Sequence, residues 1–346
     1  MLTWTQFSNS AALTAVMGSY PNPGTDGSKQ FICSFSGGCL NPVTSELLIF
    51  GGGHNDYGGN EVLKFSLNQA VPAWSVLRTP TQGVGAGTSQ TPVQGNAYYT
   101  DGTPSARHTY GMVQVVPELN RLMTFGAAAV WGNGNGNFDT IDGFNLSTNQ
   151  WDPAGTWSGA AGLGTTICST VRDFIGNIWH CGKPTGVLYR WNLADASITQ
   201  FTSTGTPGGT INGGCTFVYD PKRHLIFRLP HSTTVAGYYD LSTSNAAFTQ
   251  VTLNDPSGFL SDAFQYSAEY CPDRDTYVVL KAQSTSVYEV NPATFAVTAL
   301  SVAGTPPAPA LDGTGDFYGR FRYVPALRGF VLMAGAAVNV GFFRTG

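Results

Sequence analysis

The sequence is short of charge. Asp, Glu, Lys and Arg make up 11% of its 346 residues, against about a quarter in an ordinary soluble domain. Lys and Arg number 17 against 21 Asp and Glu, a formal net charge of -4. No basic stripe is available to neutralise a phosphate backbone, which excludes nucleic acid as a partner. Long apolar runs are missing too. No stretch approaches the ~18 consecutive apolar residues of a membrane span, so membrane insertion is not expected. Residues 1–20 lack a basic start and a continuous apolar centre, and no signal peptide is visible. The six cysteines (Cys33, Cys39, Cys168, Cys181, Cys215 and Cys271) contain no C-x-x-C pair, which excludes a zinc ribbon or a thioredoxin-type redox motif. H-x-H and H-E-x-x-H spacings are also missing, so neither a metal nor another cofactor is expected.

What is present is turn chemistry and apolar surface. The chain has 43 Gly and 20 Pro, with 42% hydrophobic and 12% aromatic residues. That much apolar surface excludes disorder, and its division into short runs between Gly, Pro, Asn and Asp describes an all-β protein rich in turns. Low charge with Gly/Ser/Thr/Asn-rich connections suits an extracellular or virion protein. Three settings fit the absence of a visible leader: a mature secreted form, a cytoplasmic protein, or a phage virion component.

A unit of roughly fifty residues recurs. Each copy holds a strand, a tight turn, an apolar strand ending in small residues, a loop, a strand with Tyr or Phe, and a polar outer strand. Copies run over approximately 29–79, 107–155, 165–203, 213–253, 265–303 and 318–346. The last lacks its outer strand. Residues 2–8 supply one, because Trp4 stands where Trp74 and Trp151 stand in the first two copies. The expectation is one domain over 1–346, a six-bladed β-propeller whose last blade is closed by the N-terminal strand, leaving no open edge. A hairpin about Gly176 would set Cys168 across from Cys181; two free buried thiols are the other reading.

The stretches LLIFGGG, NEVLKFSL and the following Trp74, with LMTFGA, IDGFNLSTNQ and Trp151, resemble kelch repeats. The resemblance covers nearly the whole chain and is strongest in the first two copies. It implies the propeller fold and no particular activity.

On that plan the unusual polar residues gather on one face, where loops between second and third strands meet the connections between blades. His54, Asp56, Tyr57, Asn60 and Glu61 follow the first glycine run, and Arg107, His108 and Tyr110 open the second blade. His180 and Lys183 end the second strand of the third blade, and Arg228 and His231 that of the fourth. Tyr266 and Glu269 begin the fifth blade, Lys281 ends its second strand, and Arg320 begins the sixth. His224 falls on the opposite face. Residues 80–105 form the longest connection, in which Tyr98 and Tyr99 offer aromatic platforms for sugar rings.

A His and a Tyr that exchange protons, beside Arg and Lys that neutralise a carboxylate, suit β-elimination from a uronic-acid polysaccharide. In residue types and location the set resembles propeller-fold polysaccharide lyases such as the ulvan lyases. The resemblance implies His54 or His108 with Tyr110 in proton transfer, and Arg107 and Arg320 on the carboxylate. Asp56, Tyr57, Asn60, Glu61, His180, Lys183, Arg228, His231 and Tyr266 would complete the substrate site. The expected function is carbohydrate recognition, of a polysaccharide or cell-surface glycan, with lyase chemistry left open. The alternative is a non-catalytic virion component, a tail adhesin or structural module that docks other virion subunits.

Overall fold

Tight turns between the short apolar runs cut the chain into hairpins. Six of these turns each carry one residue in the left-handed region: Ser45, Asn120, Gly176, His224, Asp275 and Arg328, with φ of 54°, 51°, 96°, 51°, 52° and 50°. Asn and Asp tolerate this conformation better than most side chains. Neighbouring acceptors hold the turns. Asn41 Oδ1 accepts the Val43 and Thr44 amides, and Asp220 Oδ1 accepts those of Lys222 and Arg223. The computed structural model describes residues 1–8, 10, 13–17, 30–33, 35–53, 56–81, 96–132, 138–157, 169–181, 187–201, 216–229, 235–260, 266–281, 286–307 and 317–346, without the side chains of 14, 30, 33, 127 and 181.

Among the described residues each turn joins the first two strands of a four-stranded antiparallel sheet, and the sheets number six. The first blade is β2 (Gly37–Asn41), β3 (Glu46–Phe50), β4 (Val62–Ser66) and β5 (Ala73–Arg78). The second is β6 (Val113–Val116), β7 (Arg121–Ala127), β8 (Phe138–Asn145) and β9 (Gln150–Trp151). The third is β10 (Thr170–Arg172), β11 (Ile178–Cys181), β12 (Leu188–Trp191) and β13 (Ile198–Phe201). The fourth is β14 (Phe217–Asp220), β15 (Leu225–Arg228), β16 (Ala236–Asp240) and β17 (Ala247–Val251). The fifth is β18 (Tyr266–Cys271), β19 (Thr276–Lys281), β20 (Val287–Val290) and β21 (Val297–Ala299). The sixth is β22 (Phe321–Val324), β23 (Gly329–Leu332), β24 (Gly341–Arg344) and, as its outer strand, β1 (Thr3–Gln6). Thr3 pairs with Arg344 and Gln6 with Gly341, so the N-terminal strand closes the last blade as the split repeat requires.

The inner strands touch in the order β2, β6, β10, β14, β18, β22 and back to β2. The fold is a six-bladed β-propeller. Strand alternation sends one side chain to each neighbouring blade in turn, and each seam has its own apolar filling. Leu47 and Ile49 meet Val331 of the sixth blade. Met123 and Phe125 meet Ile178 and Trp191, and Val171, Trp179 and Leu188 meet Phe217 and Ile226. Burying such side chains contributes roughly 1.5–3 kcal/mol each. Two short helices, α1 (Leu13–Met17) and α2 (Gln30–Cys33), place Leu13, Met17, Phe31 and Ile32 against the first blade. No helix among the described residues is long and apolar enough to cross a membrane. The ring thus has two axial faces: an upper face, where the inner strands begin, and a turn face, where the six tight turns lie.

Candidate functional site

The upper face brings together His108 and Tyr110, two residues apart in the segment that leads into β6. His108 Nδ1 lies 3.2 Å from Tyr110 Oη. The pair is mostly buried and sits among rings from three blades. Phe35 lies 4.5 Å from His108 and 5.3 Å from Tyr110, and Tyr318 lies 5.2 Å from Tyr110, centroid to centroid. Phe35 and Tyr110 both adopt left-handed backbone, with φ of 57° and 45°, and the Tyr110 amide donates to the Phe35 carbonyl at 2.8 Å. A bulky residue in that region costs on the order of 1–2 kcal/mol, so surrounding structure must impose it. Gly37 makes room for it: a Cβ there would overlap the Tyr110 carbonyl oxygen. Arg320 enters from the sixth blade, buried, with Nη1 donating to the Met333 carbonyl at 3.3 Å. Phe35 and Tyr318 were not legible as site residues, because packing of the second blade on the first brings Phe35 beside His108 and ring closure brings Tyr318 beside Tyr110.

Arg107 points elsewhere. Its guanidinium is fully buried; Nη1 meets Asp142 Oδ2 at 2.9 Å, Nε donates to the Ser105 carbonyl at 2.9 Å, and Nη2 donates to the Ala97 carbonyl. Committed to internal acceptors, it anchors residues 96–107 instead of presenting itself to a substrate carboxylate. The same anchoring corrects the reading of Tyr99, which is buried beside Trp131 with its hydroxyl donating to the Gly58 carbonyl at 2.6 Å. It is core and no platform. Tyr98 is half-buried and donates to Asp142 Oδ1 at 2.8 Å.

The residues after the glycine run are also structural in their contacts. Gly53, at φ of 98°, lets the chain pass where a Cβ would come within 2.6 Å of Arg107 Cα. Asp56 is half-buried in the turn that follows, with its amide donating to the Gly53 carbonyl at 3.2 Å. Asn60 Nδ2 donates to Thr103 Oγ1 and the Pro104 carbonyl, both at 2.9 Å, while its Oδ1 accepts the Thr81 amide. Tyr57 donates its hydroxyl to Glu61 Oε1, with both residues buried. Burial pushes the Glu61 carboxyl up to about 7, against the opposing pull of that hydrogen bond. His54 lies outside the described residues, as do Lys183 and His231.

The remaining candidates spread over separate seams. His180 is buried and stacks on Tyr189 at 5.0 Å. Tyr266 is buried and donates its hydroxyl to the Phe259 carbonyl at 3.0 Å. Arg228 is fully buried at the end of β15. His224 lies on the turn face as expected, its Nδ1 3.2 Å from Tyr219 Oη. Cys39 and Cys271 are buried free thiols. Cys168 lies outside the described residues; the β10–β11 register, which pairs Thr170 with His180, sets Ser169 opposite Cys181 when carried one step further.

Glu269 departs from its expected place on the upper face. It lines a cavity of about 440 Å³ that opens at the turn face, together with Arg172, Tyr219, Tyr270, Arg322 and Tyr323. The Tyr323 amide donates to Glu269 Oε2 at 2.6 Å. Burial raises the pKa of this carboxyl, and the Arg322 charge pulls it back down. The signal for this wall was a repeated Tyr two positions before a turn Pro: Tyr219 and Pro221, Tyr270 and Pro272, Tyr323 and Pro325. No group of three or more His, Cys, Asp or Glu among the described residues converges as a metal site. The chain matches no protein-family model and no characterised protein in sequence.

Proposed function

We propose that the protein binds an acidic polysaccharide at its upper face and that His108 and Tyr110 move protons in its cleavage by β-elimination. The carrying observation is the pair itself: two groups able to exchange a proton, 3.2 Å apart, inside an aromatic cluster held by strained backbone. Elimination requires a base to take the proton from the carbon beside the carboxylate. The C–H electron pair then forms the ring double bond, the neighbouring C–O bond breaks, and an acid protonates the departing oxygen. Imidazole and phenol suit those two duties. Phe35 and Tyr318 offer ring faces to pyranose C–H groups, and Arg320 is the cation left for the carboxylate once Arg107 is committed to Asp142. The resemblance in residue types to propeller-fold polysaccharide lyases supports the same reading.

The test is ultraviolet absorbance during incubation with a panel of uronic-acid polysaccharides, wild type against His108→Ala. An unsaturated product should accumulate with wild type and be lost in the variant. A flat wild-type trace over the panel, with polysaccharide still retained on the protein, would leave recognition without cleavage.

A further inference from the structure

Arg228 is fully buried, and none of its three guanidinium nitrogens meets a hydrogen-bond acceptor among the described residues. A guanidinium does not lose its proton in a folded protein, so deprotonation cannot relieve the burial. An unpaired charge in a core is among the least favourable arrangements known. The fold does not demand it. Counting four residues on from the left-handed turn residue, the six blades carry Ile49, Thr124, His180, Arg228, Val279 and Leu332. Three of them fill this position with an aliphatic side chain.

Strand alternation gives the direction. Arg228 shares its side of β15 with Ile226, which packs against Val171, Trp179 and Leu188 of the third blade. The guanidinium is therefore aimed into the seam between third and fourth blades. It sits near the upper end of that seam, where the Leu229 amide makes a 3.0 Å bond to the Thr216 carbonyl beyond the strand.

We infer that this seam is an oxyanion site whose ligand is a carboxylate held by Arg228. Five donors in a planar fork match the two oxygens of a carboxylate, and the ligand's charge removes the penalty of burial. Water would supply acceptors but no opposite charge. Where this chain has an internal carboxylate to offer a buried arginine it uses one, as Asp142 does for Arg107. The site is separate from His108 and Tyr110, which lead into the second blade. Assigning the carboxylate to a uronic sugar rests on the function proposed above; the anion site stands without it.

The experiment is thermal unfolding of the full chain at constant chloride, titrated with sodium acetate, galacturonate or neutral galactose. Wild type is compared with Arg228→Met and Arg228→Lys. Acetate should raise the wild-type Tm saturably. Arg228→Met should start from a higher Tm than wild type in acetate-free buffer and should not respond to acetate. Arg228→Lys, without the planar fork, should respond with about tenfold weaker affinity. An Arg228→Met variant that is less stable than wild type in acetate-free buffer would show an internal partner and overturn the proposal. So would a wild type indifferent to acetate, which needs no variant to fold. Acetate binding without galacturonate binding would keep the anion site and remove support for the uronate reading.

Discussion

Two fully buried arginines stand in two regions of this ring under opposite conditions. Beside the first and second blades, Arg107 has Asp142, Thr140 and two backbone carbonyls as acceptors. Between the third and fourth, Arg228 has no acceptor among the described residues. The contrast teaches that burial of a charge says little about its purpose until its partners are counted. A paired arginine is a structural clamp, costly to break. An unpaired one is a liability to the empty protein, and its retention asks for something from outside.

The largest expected effect tests the clamp. Arg107→Met leaves Asp142 buried without its guanidinium and frees residues 96–107 from their anchor. Breaking one side of a buried pair costs about 3–5 kcal/mol. Urea denaturation should show a loss of that size. A loss under about 1 kcal/mol would mean that the Asp142 pair is replaceable by water, the level expected of an exposed pair.

Glu61 sharpens the comparison by a third route, since a carboxyl can shed its charge where an arginine cannot. Its folded pKa of about 7 stands above an ordinary 4.5, so the native state holds the proton more tightly than the unfolded chain. Native stability should therefore fall as pH rises from about 4.5 to about 7 and level off above. Tyr57 and Tyr99 are the ionisable groups acting on it, and both have pKa values raised by burial, so neither titrates in that window. Glu61→Gln keeps an acceptor for the Tyr57 hydroxyl and removes the titration. At pH 8 it should be more stable than wild type by about 3 kcal/mol, and at pH 4 the difference should vanish. A difference equal at both pH values would mean that the carboxyl keeps its ordinary pKa.

The architecture was legible because its determinants are local. Turn residues such as Asn120 and Asp275, period-two alternation and a last repeat missing its outer strand together define six blades and their closure. The site was only partly legible because pairing is not local. Arg107, in the segment that leads into β6, lies 35 residues from Asp142 on β8, and nothing in R-H-T-Y tells that its arginine turns inward while its histidine and tyrosine face each other. Tyr99 read as a platform because a long Gly-rich connection gives no sign of which of its aromatics is buried. Glu269, three residues along β18 from Tyr266, reaches the other axial face because the strand spans the ring from one face to the other.

The smallest expected effect on stability separates the catalytic reading from the structural one. Tyr110→Phe keeps the ring beside Phe35 and Tyr318 and removes only the hydroxyl that faces His108. One neutral hydrogen bond contributes about 1 kcal/mol net, so denaturation should register a loss of that order and no more. Activity should respond on a different scale, because a positioned proton donor contributes roughly 10²–10⁴-fold to the rate. A variant nearly as stable as wild type that no longer releases unsaturated product would assign the proton to Tyr110. A variant that cleaves normally would leave His108 to work without it, and the strained backbone at Tyr110 would then serve ring packing alone.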